Sequence, residues 1–224
     1  MEQSPYPVVR LNPKGDARAI RHGFPWVYAN EVVTDRRTKG LVAGSIAILE
    51  DADRTPMGLV AVNPASKIFC RMLERDINVP IDQAWFEAKF RLALDYRSRL
   101  YPGPFYRFIH AEADGLPGVV IDRFGDVAVV QPNAAYADTL IETLVDALVA
   151  VTGVTTVIMN GTGRARSLEG LEERTDVLRG TAPTAPIPVP MNGAIYLADV
   201  MGGQKTGLFF DQRPNHAFAA ALSQ

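Results

Sequence analysis

Cysteine is nearly absent: Cys70 is the only one in 224 residues. A single thiol excludes an internal disulfide and a cysteine-rich zinc site. Three scattered histidines leave little for any other zinc site, so no metal is expected. No apolar run approaches the roughly 20 residues that cross a bilayer. The opening MEQSPYPVVR lacks the basic and apolar regions of a secretory signal. These absences point to a cytoplasmic location and no membrane partner. No internal repeat stands out at a fixed period. Charge of one sign is also missing, with a net of −2. What is present, 47% hydrophobic and 21% charged residues, is the composition of an ordinary globular chain. The length suits one large domain or two small ones.

The near-neutral total hides an uneven distribution. Between Arg10 and Lys39 stand seven cations (Arg10, Lys14, Arg18, Arg21, Arg36, Arg37, Lys39) against three anions (Asp16, Glu31, Asp35). A second basic stretch holds Lys89, Arg91, Arg97, Arg99 and Arg107 against Asp95. Basic clusters of this kind are the electrostatic footprint of a nucleic-acid binder, or a solvated face.

Residues 1–76 read as short strands. PVVRL, GSIAILE and MGLVAVN are strand-like, and SKIFCRMLE alternates, with Ile68, Cys70 and Met72 on one face and Lys67, Phe69 and Arg71 on the other. Short strands joined by tight turns predict a small barrel. RHGFPWVYANEV adds Phe24, Trp26 and Tyr28 among cations, a composition suited to stacking on RNA. The aromatics are expected largely inside the barrel, with Arg21 and His22 outside.

Near RDINVPID the pattern changes. Asp82 can cap a helix over QAWFEAKFRLALDYRSRL, with Trp85, Ala88, Leu92 and Tyr96 at helical spacing, ending before YPGPF. FYRFIHAEA, PGVVIDRFG and DVAVVQP predict a β-meander. ADTLIETLVDALVAV predicts an amphipathic helix with Leu140, Leu144, Val145 and Leu148 on one side, and TTVIMNG a buried strand. RSLEGLEERTDVLRG could hold a helical turn, and TAPTAPIPVP reads as a linker. Asn192-Gly193 marks a hairpin within PVPMNGAIYLADV.

Three motifs invite chemistry. Gly161-Thr162-Gly163 follows a strand as a dinucleotide loop would, but the third glycine position holds Arg166, so a plain connecting loop is the better reading. Lys205-Thr206 in GGQKTG imitates a phosphate loop, but Gln204 replaces the glycine before the lysine and no long helix is expected directly after it. Glu112, Asp114, Asp122 and Asp126 could serve acid–base or metal chemistry, yet two stand in turn contexts where Asp bonds local backbone.

Taken in order, RHGFPWVYANEV, SKIFCRML, YRFIHAEADGLPGVVIDRFGD and GGQKTGLFFDQRPNH resemble the S-adenosylmethionine-dependent 23S ribosomal RNA (cytosine-C5) methyltransferases. The resemblance covers nearly the whole chain. It implies an α+β architecture: a PUA-like RNA-binding β-barrel over 1–76, a central α+β domain over 80–185, and over 186–224 the first hairpin of a Rossmann-like methyltransferase domain. The cofactor implied is S-adenosylmethionine, and the partner 23S ribosomal RNA. A homodimer would add a second copy of the chain.

On the same resemblance, Lys14, Arg21, His22, Arg36, Arg37, Lys39, Lys67 and Arg71 are the expected RNA contacts. Lys205, Thr206, Phe210, Asp211 and Arg213 are expected to support the cofactor and target-base pocket, or else to order a hinge between domains. The catalytic cysteine of the family has no counterpart here, since Cys70 stands in a strand of the RNA-binding region. The chain is therefore expected to be the N-terminal part of an enzyme and inactive alone. His216 stands where the family usually has arginine, and Met191 where it often has glutamate. A non-catalytic RNA-binding adaptor built from the same two domains is the other reading.

Overall fold

A computed structural model describes residues 6–222. The N-terminal part comprises β1 (Val8–Arg10), α1 (Ala17–Arg21), β2 (Trp26–Tyr28), α2 (Arg36–Lys39), β3 (Ile46–Glu50), β4 (Pro56–Val62) and β5 (Ile68–Glu74). The strands form one sheet in the order β1-β3-β4-β5-β2, with β1 parallel to β3 and the other pairs antiparallel. Beyond the ends of the outer strands, Leu11 bridges Val32 and closes the sheet into a barrel. Closure removes the free edges that would otherwise invite aggregation. Both short helices are capped by aspartate. Asp16 accepts from Ala19 N at 2.8 Å, and Asp35 accepts from Arg37 N and Thr38 N while Thr38 Oγ1 accepts from Asp35 N.

The simple alternation expected for β5 fails at two places. Phe69 is an extra residue opposite Val27 and Tyr28, and Leu73 is an extra residue opposite Leu59 and Val60. Each bulge turns a side chain that alternation would send outward. Phe69 joins Cys70 and Met72 in the barrel core, while Leu73 enters the core of the next layer.

The remainder runs α3 (Gln83–Leu100), β6 (Phe105–His110), β7 (Val119–Phe124), β8 (Val127–Pro132), α4 (Ala135–Thr139), α5 (Ile141–Thr152), β9 (Thr156–Gly161), α6 (Arg164–Leu168), β10 (Arg174–Arg179), β11 (Ile187–Met191), β12 (Ala194–Ala198) and α7 (Arg213–Ala221). The second sheet has the order β10-β9-β8-β7-β6. The expected meander is β6-β7-β8, and the α4–α5 crossover makes β9 parallel to β8. The segment read as a helical turn divides: α6 is one short turn, and Arg174–Arg179 adds an antiparallel edge strand.

Period-two alternation sends β8 and β9 into two cores. Ala128, Val130, Val157 and Met159 face the helices α3 and α5, while Val129 and Ile158 face the hairpin β11-β12. The sheet is thus a filled middle layer, which is why its strands read as continuous apolar runs.

The apolar stripe of α3 is not the expected one. Asp82 caps it as anticipated, accepting from Trp85 N at 3.0 Å. Its buried face, however, is Trp85, Phe86, Phe90 and Ala93, and Leu92 and Tyr96 are exposed. Two phenylalanines bury more apolar area than a leucine and a tyrosine, whose hydroxyl would need a partner, and this favours the observed rotation of the helix. Arg97 on that side is held by Asp114 through bonds of 2.8 and 2.7 Å.

Candidate functional site

On the barrel, Lys14, Arg21, His22, Arg36, Arg37, Lys39 and Lys67 all have exposed side chains. Arg36, Arg37 and Lys39 share the single turn of α2, so three cations project from one short helix. Arg21 is held by an ion pair with the buried Asp51. Backbone N–H groups of Thr55 and Asp53, with Arg21 beside them, hold the Asp51 carboxyl below its ordinary range.

Arg71 lies apart from this set. Its side chain is only 11% exposed and is tied to Glu169 at 2.9 Å and Glu112 at 3.4 Å. Largely buried and paired through both Nη atoms, this guanidinium is not open to a phosphate, which corrects its place among the RNA contacts. The aromatics need correction too. Val27 fills the barrel, whereas Phe24 and Tyr28 are exposed and Trp26 is half-buried on the outside. Strand alternation decides this: Trp26 and Tyr28 flank the inward Val27.

Arg71 belongs to a polar junction between the barrel and the second sheet. Glu169, almost fully buried, accepts from Asn63 Nδ2 at 3.0 Å, Ser66 Oγ at 2.9 Å and Arg71 Nη2 at 2.9 Å. Glu112, from the EADGLPG stretch, accepts from Trp26 Nε1 at 2.8 Å. Three barrel donors thus converge on one carboxylate from the turn after α6. Nearby, the buried Arg166 donates to Pro132 O and Glu172 O and pairs with Asp138 at 2.8 Å. The arginine at the third glycine position is therefore an interior strut. Sequence reasoning missed Glu169 and Arg166 as anchors, and only a charged residue inside an otherwise loop-like segment marks either.

The GGQKTG segment folds tightly on itself. A Cβ on Gly203 would lie 2.3 Å from Asp199 O, and one on Gly207, at φ +101°, would lie 2.5 Å from the same oxygen. The glycines are needed for this close backbone approach. Thr206 is completely buried and donates to Asp122 Oδ2 at 2.5 Å. Asp122, also fully buried, pairs with Arg107 through bonds of 2.8 and 2.9 Å. Burial lowers the Arg107 pKa, but the hydrogen bonds and charge of Asp122, with Asp211 nearby, leave it raised overall.

The other candidates in this segment divide by exposure. Phe210 is buried against Phe124, with ring centroids 5.2 Å apart. Arg213 donates to Phe105 O at 2.5 Å and lies 4.5 Å from the Tyr101 ring centroid, and burial pulls its pKa down. It also lines an open cleft of about 780 Å³ with Leu100, Tyr101, Phe105, Asn192 and Ile195. Lys205 and Asp211 are exposed, Lys205 with its ammonium 4.6 Å from the Phe209 ring centroid. Of the five, these two have polar ends available for a cofactor, while Thr206 and Phe210 are built into the interior. The residues present therefore fit an edge of a cofactor site rather than an enclosing pocket.

Cys70 is fully buried in the barrel core, and desolvation pushes its thiol far above the usual range. A protonated, inaccessible thiol is no nucleophile. Among the described residues, no group of three or more His, Cys, Asp or Glu is placed to hold a metal ion, and no helix is long and apolar enough to cross a membrane.

Residues 9–75 match the model of a PUA-like domain. The chain is 32% identical over 213 residues to ribosomal RNA large subunit methyltransferase I of Pseudoalteromonas translucida, covering 94% of this chain and 53% of that protein. It is 34% identical over 215 residues to the protein of the same name from Alteromonas mediterranea, covering 95% and 53%. The chain spans about half the length of the curated relatives it matches. A solved structure of a candidate SAM-dependent methyltransferase from Streptococcus mutans superimposes with a TM-score of 0.77 at 16% identity, covering 95% of this chain and 53% of that one. A candidate methyltransferase solved in complex with SAH gives 0.75 at 16%, covering 95% and 52%. The α+β architecture with a PUA-like barrel and a second sheet is thus shared with these solved structures, and the chain is similar in sequence to ribosomal RNA large subunit methyltransferases I.

Proposed function

We propose that this chain is the RNA-docking and central part of an S-adenosylmethionine-dependent methyltransferase that acts on 23S ribosomal RNA in the cytoplasm. The observation that carries the reading is the similarity to ribosomal RNA large subunit methyltransferases I along 94% of the chain, barrel and second sheet together. The exposed cations Lys14, Arg21, His22, Arg36, Arg37, Lys39 and Lys67 contact phosphates. The junction of Arg71, Glu112 and Glu169 fixes the barrel against the second sheet, so that RNA held by one is presented at a set position to the other.

The target we propose is C5 of a cytosine. Such a reaction needs a thiolate to add to the base, and the cofactor supplies the methyl group. Cys70 is unfit for that attack, so the nucleophile and most of the cofactor site belong to sequence outside these 224 residues. Lys205 and Asp211 contribute polar contacts at the edge of the cofactor and base pocket. Thr206, Phe210 and Arg213 position the segment that carries them. The 224-residue chain alone then binds RNA weakly and transfers no methyl group.

The test is RNA binding by the purified chain at several salt concentrations, with a methyl-transfer assay alongside. Salt-sensitive binding without transfer supports the assignment. Methyl transfer by the 224-residue protein contradicts it.

A further inference from the structure

We propose that Phe24, Trp26 and Tyr28 form a stacking platform for unpaired nucleobases on the outer face of the barrel. The inference rests on the RNA-docking reading and adds to it the site and the strandedness of the ligand.

Three rings meet at one place. Their centroids are 6.1 Å apart for Phe24–Trp26, 6.4 Å for Phe24–Tyr28 and 6.5 Å for Trp26–Tyr28. The Trp26 contacts are edge-on, at 73° and 78°, so neither neighbouring ring is stacked flat on the indole. Phe24 is 41% exposed and Tyr28 37%. These are large apolar surfaces left in water although Val27, between two of them, is 1% exposed. A clustered aromatic patch of this kind marks an interaction site more often than a scattered one does.

The platform is pre-ordered. Trp26 Nε1 is bound by Glu112, which is itself tied to Arg71. The Tyr28 backbone N–H is held by Glu31 Oε2 at 2.8 Å, which commits that carboxylate to local backbone, as Glu112 is committed to Trp26 and Arg71. Rings already fixed in place lose little freedom on binding.

Charge identifies the partner. Exposed Arg18, Arg21 and His22 lead directly into Phe24. Exposed Lys67 sits beside the other end, its carbonyl accepting from Ala29 N at 3.0 Å. Open aromatic faces bracketed by cations complement a ligand that is both planar and anionic, which is a nucleic acid. A duplex hides its base faces by stacking, so the complement is single-stranded.

The experiment uses the whole chain with a short oligouridylate and a blunt RNA duplex as probes. Only Trp26 and Trp85 fluoresce as indoles, and Trp85 is buried. Oligouridylate should quench Trp26 emission, and the Trp26→Phe protein supplies the baseline. Phe24→Ala/Tyr28→Ala should weaken oligouridylate binding about tenfold with its salt slope unchanged, because stacking releases no counterions. Phe24→Leu/Tyr28→Leu keeps the apolar bulk and should lose as much, which separates stacking from a folding defect. If wild type and both variants bind oligouridylate equally, the platform is wrong and the RNA-docking reading stands. If the duplex binds as tightly as the single strand without quenching, the platform is again wrong. Self-association of wild type, abolished in the variants and unaffected by RNA, would make the patch a protein contact. If wild type binds no RNA, both inferences fall.

Discussion

Thr206 Oγ1 donates to Asp122 Oδ2 at 2.5 Å across 84 residues of sequence, and both side chains are completely buried. The bond fastens the GGQKTG segment to β7, the strand beside the β6 edge of the second sheet. It also satisfies a carboxylate that Arg107 neutralises from the neighbouring strand. The segment that looks like a phosphate loop is thereby a clamp, with its threonine hydroxyl turned inward.

Removing the clamp should destabilise the fold. Thr206→Val leaves Asp122 short of a donor and should cost about 1–3 kcal/mol. Asp122→Ala leaves Arg107 part-buried without its partner and should cost about 3–5 kcal/mol. Urea unfolding midpoints of the two variants check the order.

The junction carboxylate admits a sharper substitution. Glu169→Gln keeps the size, removes the charge facing Arg71, and puts amide hydrogens where Asn63, Ser66 and Arg71 already donate. A loss of about 3 kcal/mol is expected, from the donor-to-donor contact and from leaving Arg71 with only its longer pair to Glu112. Proteolysis within 164–172 should quicken in the variant at temperatures where wild type resists.

Cys70 should behave as a folding reporter. A thiol-alkylating reagent should leave the native chain unmodified at neutral and mildly alkaline pH, because burial keeps the thiol protonated and out of reach. Labelling should appear with the unfolding transition. Rapid labelling under native conditions would contradict the buried placement.

Acid should weaken the fold through Glu74. Burial alone would raise its pKa, but bonds from Trp85 Nε1 and the Arg75 N–H, with Lys89 nearby, lower it beneath the ordinary 4.5. The unfolded chain then binds this proton more readily than the folded one. The contribution is present above pH 4.5 and is lost as pH falls through the lower folded value. Glu74→Gln should flatten that part of the stability–pH profile, measured by thermal unfolding from pH 6 down to about pH 3.

Much of this architecture can be read from the sequence, because periodicity and punctuation report local structure well. The meander, the Asp82 cap and the Asn192-Gly193 turn, with φ of 55° and 75°, are all written in short-range patterns. What escapes the sequence is set by long-range partners. The bulges at Phe69 and Leu73 depend on how β5 pairs with β2 and β4. The rotation of α3 depends on which aromatics the second sheet can accept. The half-burial of Trp26 depends on Glu112, 86 residues away, which accepts from its indole N–H. In the candidate site, the cations of α2 are legible as a basic run, whereas the burial of Thr206 and Arg71 is fixed by Asp122 and Glu169, which no local pattern connects to them.

The most direct measurement is RNA binding by the whole chain against salt, for wild type and for Arg36→Ala/Arg37→Ala. Each phosphate contact on single-stranded RNA contributes roughly 0.7 to the slope of log affinity on log salt. Wild-type binding that weakens with salt, and a slope smaller by about 1.4 in the variant, is the expected result. RNA affinity that is undetectable, or a slope identical in both proteins, would contradict the account of the barrel as an RNA-docking module.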